Sequence, residues 1–112
     1  MKIIRRHEFL KLPRGIVFGQ GKPWYFDGWS IKGESSGNDF YCTPLDWTQF
    51  ESHSSADMMD KADTLLSTSA SVPMLWDADQ RDGLFDDEHI YCVLEQSDID
   101  SLIAVLQKAN GI

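Results

Sequence analysis

The dipeptide Asp27-Gly28, set between Trp24-Tyr25-Phe26 and Trp29-Ser30-Ile31-Lys32, narrows what this chain can fold into more than any other feature. A two-residue hairpin turn of the primed type needs positive φ at its centre, and Asp-Gly supplies it at low steric cost. Two aromatic-rich runs joined in this way predict antiparallel strands. Ile16-Val17-Phe18 precedes them across the turn-forming stretch from Gly19 to Pro23, and Phe40-Tyr41-Cys42 follows a loop from Gly33 to Asn38. Consecutive strands with short links pair as neighbours, so residues 16 to 42 are expected to form an antiparallel meander of about four strands.

Helices are expected on either side. Phe9, Leu10 and Leu12 follow polar residues and Pro13 ends the run, which predicts a short helix near 5–12. Thr43-Pro44-Leu45-Asp46 carries a capping residue, a proline suited to the first turn and a capping-box acid, so a helix bearing Trp47 and Phe50 is expected from there. Ser54 or Ser55 restarts it, with Met58, Met59, Ala62, Leu65 and Leu66 on one face and an Asp57 to Lys61 pair on the other, giving helix over about 44–66. Ser67 to Ser71 ends it. Pro73 to Asp87 reads as a long loop, and in a small domain a loop of that length is a functional candidate. Ile90-Tyr91-Cys92-Val93-Leu94 is a continuous apolar run of strand length, expected to be central in the sheet and buried on both faces. A last helix spans about 98–109, capped by Ser97, with Asp98 and Asp100 in its first turn. Its apolar stripe is Ile99, Leu102, Ile103 and Leu106, and Asn110-Gly111 supplies its stop. The expected architecture is therefore α+β: an antiparallel meander of four to five strands, helices packed on one face and a C-terminal helix. At 112 residues, it forms a single domain over 1–112.

Charge is divided unevenly along the chain. Residues 1–32 carry seven bases and two acids, a net of +5, whereas residues 33–112 carry three bases and sixteen acids, a net of −13; together they make the formal charge of −8. Between Asp77 and Asp100 nine acids face Arg81 alone. The plainest partner for such an acidic half is the basic half of the same chain. No apolar run reaches the length of a membrane span and no signal peptide follows the basic start, so a cytoplasmic protein is expected. Cys42 and Cys92 lie in strand-like contexts and read as buried free thiols; a disulfide would require neighbouring strands.

Few residues carry recognisable chemistry. The stretch from Asp77 to Glu88 matches a calcium-binding loop at positions 1, 3 and 12, but Arg81 stands at position 5 and the glycine, Gly83, falls at 7 instead of 6. No metal and no cofactor is expected. His89 beside Asp86, Asp87 and Glu88 could orient and raise an imidazole for acid–base or metal chemistry, yet His7, His53 and His89 lack ligand spacing. Gly19-Gln20-Gly21-Lys22-Pro23 has glycines and a lysine, but Pro23 blocks the helix that a phosphate loop needs. The aromatic residues Trp24, Tyr25, Phe26, Trp29, Trp47 and Trp76 are expected mainly in the core, with Trp29 and Trp76 as exposed anchors for a protein interface. An acidic body repels phosphates, so direct nucleic-acid binding is not expected.

The stretches Arg6-His7-Glu8-Phe9-Leu10-Lys11-Leu12-Pro13-Arg14-Gly15 and Lys22-Pro23-Trp24-Tyr25-Phe26-Asp27-Gly28-Trp29-Ser30-Ile31-Lys32-Gly33-Glu34 resemble the opening of small uncharacterised proteins of bacterial and prophage type. The resemblance covers about the first third of the chain and carries no catalytic residue. It implies accessory or inhibitor roles, of which acidic anti-restriction and anti-CRISPR proteins are examples. The expected function is a non-enzymatic, protein-binding module. Its contact residues are Asp77, Asp79, Asp82, Asp86, Asp87, Glu88, Trp29 and Trp76, and they engage a basic site on a partner protein such as a nucleic-acid-handling complex. An oligomer-forming domain, such as a homodimer, is the plainer reading within that class. The reading from another class is a small enzyme or metal-dependent protein using His89 with Asp86, Asp87 or Glu88.

Overall fold

The computed structural model describes residues 1–109. In chain order the elements are β1 (Lys2–Arg5), α1 (Arg6–Phe9), β2 (Val17–Lys22), β3 (Tyr25–Ser36), β4 (Asp39–Pro44), α2 (Ser55–Thr68), β5 (Gln80–Arg81), β6 (Ile90–Val93) and α3 (Gln96–Ala109). The expected α+β class holds, with an antiparallel sheet of six strands in the order β1-β6-β2-β3-β4-β5 and a C-terminal helix. The expected stop at Asn110-Gly111 lies outside the described residues.

Asp27-Gly28 does not turn the chain. Lys22 pairs with Tyr25, so the reversal falls on Pro23-Trp24, and Asp27 and Gly28 lie within β3. Proline cannot adopt the positive φ of a primed turn, and an unprimed turn splays the strands that follow it. The mismatch is absorbed by an extra residue in β3: Gly19 pairs with Trp29 and Gly21 with Phe26, so Asp27-Gly28 bulges opposite Gln20. A second bulge lies at Gly33-Glu34, because Lys32 pairs with Cys42 but Ser35 with Phe40. The expected loop from Gly33 to Asn38 therefore shrinks to Gly37-Asn38, where Gly37 takes the positive φ of +60°.

Three further boundaries differ. Lys2–Arg5 is a strand, since it pairs with β6 from Lys2↔Val93 to Arg5↔Ile90, and this leaves only Arg6–Phe9 for the first helix. The helix start expected at Thr43-Pro44 is absent, because Thr43 and Pro44 remain in register with Ile31 and Ser30 of β3. A capping signal is worth about 1 kcal/mol and yields to a ladder already in register. Helix begins instead at Ser55, where the Asp57 N–H donates to the Ser54 Oγ at 3.1 Å and Lys61 lies 3.3 Å from Asp57. The last helix starts one residue before Ser97. Its root is closed by Asp98, which accepts the Glu95 N–H at 2.9 Å.

β6 lies inside the sheet as its apolar run implies, with Tyr91 and Cys92 buried on opposite faces. Two strands separate it from β4, so Cys42 and Cys92 are not neighbours, and both are free. One face of the sheet carries the core, in which Phe9 of α1 stacks on Tyr91 with ring centroids 4.1 Å apart and tilts against Phe18 at 4.7 Å. Phe40 closes the cluster edge-on at 5.0 Å from Phe9. Of the helices, α1 is the one that supplies buried residues to this core; among the described residues, α2 and α3 bury none.

Candidate functional site

The loop from Pro73 to His89 lies across the core-bearing face, held by polar groups that the opening strands place there. Arg6, almost fully buried, donates from Nη1 to Asp82 at 3.2 Å and to the Tyr91 hydroxyl at 2.7 Å, and from Nη2 to the Asn38 carbonyl at 2.6 Å. Its Nε has no hydrogen-bond partner among the described residues and faces the Asp87 carboxylate at 4.0 Å. Burial works to lower the Arg6 pKa, but Tyr91 and Asp82 outweigh it and raise it. Gln20, opposite the Asp27-Gly28 bulge, donates to Asp82 at 3.0 Å and shares its amide with His89 Nδ1 at 2.7 Å. Asp39 takes the N–H groups of Phe40 and Gly83 and pairs with Arg81 at 2.8 Å. Lys22 pairs with Asp86 at 2.8 Å.

These contacts divide the expected contact residues into two sets. The Asp82 side chain is 4% exposed and Asp86 is engaged by Lys22, so basic residues of the N-terminal third neutralise this part of the acidic run. Asp79 is exposed and accepts the Thr43 hydroxyl at 2.6 Å. Asp77, Asp87 and Glu88 face solvent, as does Trp76, while Trp29 is partly exposed on the opposite face of the sheet beside Gly19. His89 is buried. Gln20 occupies its Nδ1 and Asp86 lies 3.5 Å from its Nε2, whereas no hydrogen bond or ion pair joins it to Asp87 or Glu88 among the described residues.

Two features were not visible in the sequence. At the outer bend of the loop Leu84 and Phe85 are exposed, and Phe85 takes φ +52°, a conformation that is rare for a bulky residue. The loop that carries this strained, solvent-facing aromatic is anchored at Arg81, Asp82 and Asp86. Beside it lies a groove of about 560 Å³, a size typical of a ligand or side-chain site. Asp27, Asp46 and Asp82 line it, with Trp47 in its wall; Arg81, the base that lines it, is already paired with Asp39. The bulge builds this groove: at Gly28 a Cβ would lie 1.3 Å from Asp46 Oδ2, so the glycine lets that carboxylate lie against the β3 backbone. Cys42 also lines the groove, and burial, assisted by the Asp82 charge, pushes its thiol up to about 11, which favours the protonated thiol over the thiolate.

Comparison with protein-family models, with characterised proteins and with solved structures finds no match to this chain. No group of His, Cys, Asp and Glu arranged to hold a metal occurs among the described residues, and no described helix is long and apolar enough to cross a membrane.

Proposed function

We propose that this protein is a non-catalytic binding module that captures a basic side chain of a partner protein in the groove between Asp27 and Asp46. The observation that carries this reading is the convergence of two exposed carboxylates, Asp27 and Asp46, and a tryptophan on one groove whose lining arginine is already paired with Asp39 and whose third carboxylate, Asp82, is already paired with Arg6. A guanidinium or ammonium group entering there meets charge-assisted acceptors and the Trp47 ring, the combination that recognises cations. Phosphate meets only repulsion. Around the groove, Asp77, Asp87 and Glu88 steer a basic surface toward it, and Phe85, Leu84 and Trp76 supply apolar contact area of the kind that anchors interfaces. An accessory or inhibitor role toward a protein with an exposed basic site, such as one that handles nucleic acid, follows from the same chemistry.

Affinity capture from a lysate of the source cells, followed by protein identification, tests this with two variants. Asp27→Asn/Asp46→Asn removes charge from the groove, and Asp77→Asn/Asp87→Asn/Glu88→Gln removes it from the loop surface; all five residues are solvent-exposed. The expected result is capture of a basic protein that both variants lose. Equal capture by wild type and variants excludes the reading.

A further inference from the structure

Independently of the acidic groove, the chain leaves two large apolar surfaces uncovered. On α3, the stripe expected to face a core instead faces solvent: Leu102, Ile103 and Leu106 are 36, 49 and 59% exposed, and Val105 extends the same surface. The second surface is the part of the sheet face opposite the aromatic core that surrounds the buried Gly19, Gly21 and Cys92. Pleat alternation places Ile3, Ile90, Val17, Trp29, Ile31 and Tyr41 there, with Ile3, Trp29 and Tyr41 exposed. α1 lies on the other face and no described helix buries a residue here.

The amount of unburied surface is quantitative. A folded monomer of 12.7 kDa exposes roughly 6,200 Å², whereas this chain exposes 7910 Å². Its radius of gyration is 16.5 Å, against about 13 Å for a packed domain of this length. The excess, on the order of 1,700 Å² per chain and shared among α3, the open part of the sheet face and the equally unburied α2, is large enough to contain what an obligate homodimer buries per subunit. The chain also holds both halves of a helix-on-sheet contact and keeps them apart. The Leu94 N–H donates to the Val17 carbonyl at 2.9 Å, carrying the ladder to the root of α3, and the Asp98 cap on Glu95 sets the helix direction there.

We infer that the protein is a homodimer in which the apolar stripe of α3 from each copy covers the open sheet face of the other. The contact is isologous, Leu102, Ile103 and Leu106 meeting the Ile3, Ile31 and Trp29 surface twice across one two-fold axis. The groove lies on the opposite sheet face, so dimer and partner binding coexist.

The molar mass of the full chain in solution tests this first: the expected value is twice 12.7 kDa, and a 12.7 kDa species at micromolar concentration overturns the proposal. Leu102→Glu/Leu106→Glu is expected to yield the single-chain mass, and a dimer that survives the substitution overturns the assignment to α3. Should that variant fail to fold, a photo-crosslinking residue at position 103 decides the matter in a dimer assembled from isotopically light and heavy chains. Cross-links from α3 of one isotope to residues 2–5 or 17–31 of the other support the exchange; cross-links within one chain, or between two α3 helices only, refute it.

Discussion

Arg6 and Asp82, 76 positions apart in the chain, meet at 3.2 Å with both side chains almost wholly removed from solvent. Removing one partner of such a pair strands a buried charge. Arg6→Ala is therefore expected to destabilise by about 3–5 kcal/mol, a large share of the stability of a domain this size. Arg6→Ala/Asp82→Ala should lose less than the sum of the two single changes, and urea unfolding of the four proteins in the cycle measures the coupling. Additive losses would show that the pair carries no coupling.

Lys32 is buried, and among the described residues no carboxylate pairs with it. Its Nζ donates to the Gly33 carbonyl at 3.1 Å and to the Ser35 hydroxyl at 2.9 Å, and it lies 5.6 Å from the Phe9 ring centroid. Burial lowers its pKa. The sign follows: charging Lys32 costs more in the fold than in the unfolded chain, a deficit that is full below the folded pKa and vanishes as pH rises toward the unfolded value near 10.4. Lys32→Met should gain about 1–2 kcal/mol at neutral pH, seen as a higher Tm whose advantage over wild type shrinks as pH rises through that window.

Gly21 and Gly28 separate two uses of glycine in β2 and β3. A Cβ at Gly21 would lie 2.1 Å from the Tyr25 carbonyl, a backbone atom that cannot step aside without opening the Pro23-Trp24 turn. At Gly28 the obstacle is the end of the Asp46 side chain, which can rotate away. Gly21→Ala is expected to lower stability by about 1–3 kcal/mol or more, while Gly28→Ala changes stability little and weakens partner capture by displacing Asp46. Comparable Tm losses in the two variants would contradict this division.

Acid should loosen the loop before it unfolds the sheet. For Asp39, burial works to raise the carboxyl, but the N–H groups of Gly83 and Phe40 and the Arg81 pair outweigh it and hold it low. Lys22, then the Glu88 N–H, lower Asp86. Depressed carboxyls contribute stability that is present above the unfolded value of about 3.9 and lost as pH falls through the lower folded values. Hydrogen exchange across residues 81–88 should accelerate in that window while β2 and β6 stay protected, and Asp39→Asn should remove most of the effect in residues 81–83. Uniform acceleration over the whole chain would exclude a local release.

The parts of the fold legible in the sequence were those carried by local runs. Ile90 to Val93 reads as an interior strand because Tyr91 and Cys92 are both apolar on opposite faces, and Ser54 with the Asp57–Lys61 pair marks α2. Lys2–Arg5 was not legible, since two apolar residues between bases form a strand only when β6 lies beside them. Asp27-Gly28 misled because a turn signal and a bulge signal use the same glycine, and Pro23 decided between them. Within the site, the long loop was visible as a candidate. Its bracing by Arg6, Gln20 and Lys22 and the approach of Asp27 and Asp46 to Asp82 arise from pairings over tens of residues, which no local pattern encodes.

The most direct test of the acidic groove is the affinity of the captured basic protein for wild type and for Asp27→Asn/Asp46→Asn, titrated over a range of salt concentrations. A Kd at least about tenfold weaker in the variant, equivalent to about 1.4 kcal/mol, with a flatter salt dependence, is the expected result. The same Kd and the same salt dependence for both proteins would contradict it.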